Sequence, residues 1–267
     1  MKTIFNIVLG LACVAETLNA QDAKTIFQTA EPWKQETDIR ADAVMVYGTV
    51  DKPNMTFEQR IESWRKRGYG IQFMTGVAWG DYQDYFLGKW DGVTDHLREG
   101  QREKNGADIS HGHLIPYVVP TESFIRYMKE KQIKRVIDAG ITDIYLEEPE
   151  FWMRGGYSND MNYYGTPWQD QQDSPDATYL SNKLKYWLYY RALDEIFSYA
   201  KEYGKSKGLE VKCYVPTHSL INYTSWQIVS PEASLASLDC VDGYIAQVWT
   251  GTSREPNYFK GVRKERV

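Results

Sequence analysis

Between residues 43 and 250 the chain alternates short apolar runs with helical patterns, and its long polar insertions follow the runs. Ala43-Val44-Met45-Val46-Tyr47 reads as a first strand, and Gly70-Ile71-Gln72-Phe73-Met74 as a second. His113 to Val119, Asp143 to Leu146, Glu210 to Val215 and Asp242 to Val248 supply four more. Thr56, with Gln59 three residues on, predicts an N-cap for a helix over Phe57 to Arg67. Thr121 opens a second helix, with apolar positions Phe124, Ile125, Met128, Ile133, Val136 and Ile137, closed by Gly140. Tyr179 to Tyr203 is the longest helix, with Gly204 as its stop, and a short helical segment surrounds Trp226 and Ile228. Residues 21–40 read as irregular or a short helix.

Short apolar strands that alternate with helices, without strict amphipathicity, indicate parallel strands covered by helices, hence an α/β class. No GxGxxG follows the first strand and no GxxxxGK[ST] occurs, so a nucleotide-binding doubly wound sheet lacks its signature. Elaborating one end of each strand is how a (β/α)8 TIM barrel builds its active face. About six β/α units are visible, so the expectation is a barrel sequence incomplete at the C-terminus, with Lys260 to Val267 beginning another helix.

Lys2, the apolar run Ile4 to Val14 and Leu18-Asn19-Ala20 have the form of a signal peptide over residues 1–20. Residues 21–267 then form one partial barrel domain, secreted or periplasmic, with a lipid anchor at Cys13 the less favoured alternative. The apolar run is too short to span a bilayer, and no other segment approaches the length required. A net charge of −5 without a basic run argues against nucleic acid as partner. Cys213 and Cys240 cannot make a disulfide framework; two buried thiols in neighbouring strands are favoured over a single bridge. Nothing in the chain calls for a cofactor, and oligomeric state is not encoded legibly.

The strongest chemical signal is Glu147-Glu148-Pro149-Glu150 at the end of the fourth predicted strand. Closely spaced carboxylates favour sharing a proton or a ligand, as a general acid at neutral pH requires. Strand alternation sends Tyr145 and Glu147 to one side and Leu146 and Glu148 to the other, but a bend at the strand end leaves open which glutamate faces a cleft. The rival reading has these acids capping helices or pairing with Arg154 and lysines. Aromatic side chains make up 14% of the chain and gather behind the predicted strand ends. Trp79, Tyr82, Tyr85, Phe86 and Trp90 follow the second strand, Phe151, Trp152, Tyr157, Tyr163, Tyr164 and Trp168 the fourth, and Trp226 and Trp249 the later ones. Such rings stack on the C–H faces of sugars, or else pack into small clusters of their own.

At the Glu148-Pro149 dipeptide the sequence resembles the (β/α)8 glycoside hydrolases, in particular the clan whose general acid/base follows an Asn and precedes a Pro at the end of strand four. Here Glu147 stands in place of that Asn. The resemblance implies Glu148 as general acid/base and a nucleophilic Glu at the end of a seventh strand that is not visible. Within the chain Glu150, Asp81 and Asp84 are the possible partner carboxylates, and Glu150 or Glu147 would shape the pKa of Glu148 or bind hydroxyls. Tyr47, Trp79, Asp81, Tyr117, Trp152, His218, Gln247 and Trp249 are the expected substrate contacts. The reading is thus an exported protein that cleaves or binds an oligo- or polysaccharide. Two alternatives stand beside it: a non-catalytic carbohydrate-binding barrel, and a metal-dependent hydrolase using His111, His113 and Glu148, with His218 beside them. His96 completes the four histidines, all in insertions or at strand ends.

Overall fold

The computed structural model describes residues 25–80, 82–110, 115–157, 177–217 and 227–246. Its strands are β1 (Ile26–Thr29), β2 (Ala43–Tyr47), β3 (Gly70–Gly76), β4 (Asp143–Glu147), β5 (Phe151–Trp152), β6 (Lys212–Thr217), β7 (Ile228–Val229) and β8 (Gly243–Ala246). Six of them form one sheet in the order β1-β2-β3-β4-β6-β8, every neighbouring pair parallel. β5 and β7 make a separate antiparallel pair. The α/β class expected from the alternation is what the chain adopts, with helices packed along the sheet.

Alternation within each strand separates two faces. Val44 and Val46 of β2, Phe73 of β3, Ile144 and Leu146 of β4, and Cys213 and Val215 of β6 are buried with the helices. The other face carries a row in register, Tyr47 beside Met74, Met74 beside Tyr145, and Tyr145 beside Tyr214. The two last rings stack at 4.8 Å.

Helix α1 (Phe57–Arg65) begins with the reciprocal capping box that Thr56 and Gln59 predict, and buries Phe57, Ile61 and Trp64. After the four-residue α2 (Gln83–Phe86), helix α3 (Glu122–Tyr127) starts at Thr121, whose hydroxyl accepts from the Phe124 N–H at 3.1 Å. It passes through a π-helical segment, Met128–Ile133, into α4 (Lys134–Asp138), and Gly140 follows at φ 75° as the expected stop. The long helix α5 (Ala177–Ser206) packs against the π-helical segment and α4, and the four-residue α6 (Glu232–Leu235) precedes β8.

Several expectations are corrected. β1 lies within the segment read as irregular; half-exposed Ile26 and Phe27 at a sheet edge leave little apolar signal. Residues 115–119 of the predicted third strand stay outside the sheet, because β3 pairs directly with β4, and Val118 makes only an isolated bridge with Gly100. Their buried apolar run joins the main core without pairing in the sheet, an ambiguity inherent in short apolar runs. Gly204 does not end the long helix. A Cβ there would come within 2.3 Å of Val211 Cγ2, so this glycine permits close helix–sheet packing, while Gly208 at φ 74° follows the true end. Ile228 belongs to a strand rather than a helix. Cys213 and Cys240 are free and buried, but only Cys213 lies in a strand.

Candidate active site

The mouth is built where β2, β3 and β4 end. Parity places Glu147 on the face of Tyr145, and it is buried against Tyr47. The Tyr47 hydroxyl accepts from the Gly76 N–H at 3.1 Å, and its pKa stands well above the ordinary phenol value because of burial and the adjacent Glu147 charge. At Gly76 the chain folds back so tightly that a Cβ would lie 1.9 Å from the Trp79 carbonyl oxygen. Only glycine fits there, and the turn brings the Trp79 ring to 6.2 Å from that of Tyr47.

Alternation alone would send Glu148 to the helix side with Leu146. Its backbone instead takes φ 54°, the left-handed region, immediately before Pro149. A residue preceding proline favours extended backbone, so this conformation is strained, on the order of 1–3 kcal/mol. The turn leaves the buried Glu148 carboxylate hydrogen-bonded to the Trp79 indole N–H. Glu150 is buried two residues on, and its carbonyl accepts from Gln101 Nε2 at 3.1 Å. Tyr117 lies near both acids; burial first, then the Glu150 and Glu148 charges, raises its phenol pKa. The Trp152 ring meets Tyr117 edge-on at 6.2 Å. Arg154 lies over Trp152 at 4.9 Å and pairs with Glu103 at 2.9 Å. The Glu147–Trp152 turn is also joined to the segment after β6, since Phe151 and Trp152 pair with Val229 and Ile228, and the Met153 N–H donates to the Gln227 carbonyl.

Of the expected residues, Tyr47, Trp79, Tyr117, Glu147, Glu148, Glu150 and Trp152 therefore converge. Asp81, His111, His113, Trp168, His218, Trp226, Gln247 and Trp249 lie outside the described residues. Among the described residues no group of three His, Cys, Asp or Glu side chains is arranged for a metal ion, and no helix is long and apolar enough to cross a membrane. The aromatic run after β3 divides. Trp79 reaches the mouth, whereas Tyr82, Tyr85 and Phe86 are fully buried in the main core, where Tyr82 and Tyr85 meet Phe124 of α3. An open groove of about 800 Å³ between α1 and Ala139 is lined by none of the converging residues.

Two buried polar residues near the mouth were missed from sequence. Gln101 sits in a polar stretch that carries no signal. Lys185 was legible: it occupies the apolar stripe of α5 with Tyr189, Ala192 and Ile196.

A run of parallel strands covered by helices, with acidic and aromatic residues at the strand ends, is an α/β arrangement of the TIM-barrel type. The glycoside hydrolase domain of PgaB (BpsB) from Bordetella bronchiseptica is similar in structure, with a TM-score of 0.60 at 9% identity over 91% of this chain and 80% of that one. A glycoside hydrolase family 18 N-acetylglucosaminidase from Paenibacillus barengoltzii gives 0.43 at 10% identity, over 85% of this chain and 54% of that one. The GH36 alpha-galactosidase AgaA from Geobacillus stearothermophilus gives 0.49 at 10% identity, over 92% and 33%. The first of these shows a glycoside hydrolase-like fold. No family model matches the sequence, and no curated protein matches it.

Proposed function

We propose that this chain acts on an oligo- or polysaccharide as a glycoside hydrolase, with Glu148 as general acid. The observation that carries the reading is Glu148 itself: buried, held in strained backbone, and oriented by Trp79. In this mechanism the Glu148 carboxyl gives its proton to the leaving glycosidic oxygen as the C–O bond breaks. A second carboxylate, Glu147 or Glu150, stabilises the cationic sugar until water forms the new C–O bond and gives its proton to the Glu148 carboxylate, restoring the acid. Trp79 and Trp152 offer rings for the sugar faces, and Tyr47 and Tyr117 offer hydroxyls. The apolar run after Lys2 fits a secreted or periplasmic setting for such a substrate.

The test is Glu148→Gln in the full chain, assayed on a panel of labelled linear oligosaccharides. Glycosidase chemistry predicts a loss of roughly 100-fold or more in turnover, with binding by titration calorimetry retained. Near-normal turnover in this variant removes the assignment. Binding without product release by the wild type selects the non-catalytic barrel instead.

A further inference from the structure

We propose that Gln101 is a positioning residue of this site, acting through Glu150 and Trp152; the inference rests on the glycan-cleaving reading above. Gln101 lies in the insertion after β3, far in sequence from the acids, and is completely buried. Its backbone N–H donates to the Tyr117 carbonyl at 2.7 Å, and its carbonyl accepts from Ile109 at 2.9 Å. Its side-chain Nε2 donates to the Glu150 carbonyl at 3.1 Å and to the Val118 carbonyl at 3.2 Å, while Oε1 accepts from the Trp152 N–H at 3.4 Å. Tyr189 of α5 closes the group, donating to the same Val118 carbonyl at 2.7 Å.

One carboxamide thus joins three segments: the insertion, the Glu147–Trp152 turn and α5. It uses both its donor and its acceptor end, as a buried amide must. It touches the backbone on either side of Phe151, so it fixes where Glu150 and Trp152 leave the turn. Being neutral, it does so without adding a charge beside the carboxylates; an arginine or lysine here would compensate them. Space is also restricted, since a Cβ at Gly155 would lie 3.5 Å from Oε1 and 3.1 Å from Ile109 Cδ1.

The test compares Gln101→Glu with Gln101→Met in the full chain. A glutamate at this position keeps the acceptor but, when ionised, turns an oxygen toward the Glu150 and Val118 carbonyls. Protonated, it regains one donor. We expect kcat on the best-cleaved oligosaccharide to fall about 10- to 100-fold at neutral pH in both variants, with KM within about threefold. On acidification the Glu variant recovers relative to wild type and the Met variant does not, a split that a loss of packing would not produce. Amide exchange at residues 150–153 accelerates in both at neutral pH. The Glu variant, one atom different from wild type, keeps the test decisive if the Met variant does not fold. Wild-type kcat and pH profile, with Trp152 amide protection unchanged, overturn the proposal. If the wild type cleaves nothing on the panel, the glycan reading fails by itself, and exchange at 150–153 still decides for or against Gln101 as the residue that holds the turn.

Discussion

Two long insertions, one after β3 and one after β4, each lead to a buried basic side chain, and the two are treated in opposite ways. After β3, His96 is clasped between two carboxylates: Nδ1 lies 2.9 Å from Glu99 Oε1 and Nε2 lies 2.9 Å from Asp91 Oδ2. Tyr85 stacks on the imidazole at 4.1 Å and donates to Glu99, as does the Thr121 hydroxyl at 2.7 Å. With a carboxylate at each ring nitrogen, the protonated ring can donate from both nitrogens. Burial alone would lower the His96 pKa, but the hydrogen bonds and charges of Asp91 and Glu99 outweigh it, and the pKa rises above the ordinary imidazole value. After β4, by contrast, Lys185 is fully buried on α5. Among the described residues it makes no ion pair, and its Nζ donates to the Met153 carbonyl at 2.9 Å. Burial lowers its pKa to about 7. A buried cation persists where anions surround it; where they do not, the group sheds its proton.

This contrast predicts opposite dependences of stability on pH. The larger effect is at Lys185. From about pH 7 up to its ordinary value the unfolded chain holds a proton on this amine that the folded chain lacks, so stability rises with pH by about 1.4 kcal/mol per unit. Lys185→Met removes that slope. Denaturant unfolding at pH 6, 7.5 and 9 should find the variant gaining on wild type as pH falls. Parallel curves over that range would mean that Lys185 stays charged in the fold, and the contrast breaks.

The second effect runs the other way. Because the folded His96 pKa is raised, its stabilisation is complete below the ordinary imidazole value and is lost as pH rises through the folded value. His96→Gln leaves Asp91 and Glu99 without their cation, which should cost about 2–3 kcal/mol at pH 5.5, on the scale of hydrogen bonds to charged groups. The deficit should shrink as pH is raised from 5.5 through the folded His96 value, where wild type loses the proton too. A deficit constant across that range would show that His96 acts through packing on Tyr85 rather than through charge.

The same contrast explains what could be read in advance. The strand–helix rhythm, the capping box at Thr56 and the alternation that places Glu147 beside Tyr47 are local patterns, and local patterns survive folding. The glutamates end the fourth strand in the sequence reading and also among the described residues, because β1, with little apolar signal, takes the place of the His113–Val119 run in the count. Long-range polar contacts were not legible. Gln101 and Glu150 are 49 residues apart, and nothing in either stretch announces the other. Nor does composition distinguish Trp79, which turns to the mouth at Gly76, from Tyr85, which turns inward to His96.

Between the two insertions stands Glu148, and it yields the smallest effect and the most pointed one. Its left-handed backbone before Pro149 is a local cost that the Trp79 hydrogen bond and the surrounding turn must hold in place. Glycine adopts a positive φ without the Cβ penalty, though Pro149 still restricts it, and it is freer in the unfolded chain by roughly 0.5–1 kcal/mol. Glu148→Gly also removes a carboxylate from a buried position. The relief is opposed by the entropy and by the loss of the Trp79 hydrogen bond, so we expect a net change within about 1 kcal/mol, read from the denaturation midpoint with the m-value unchanged. A more stable protein without this side chain would mean that the residue is retained against the interest of the fold, which is how strain at a functional position behaves. A loss above about 2 kcal/mol would instead make Glu148 a structural tie between the end of β4 and Trp79, on the scale of a charged hydrogen bond. Its strain would then no longer mark a functional site.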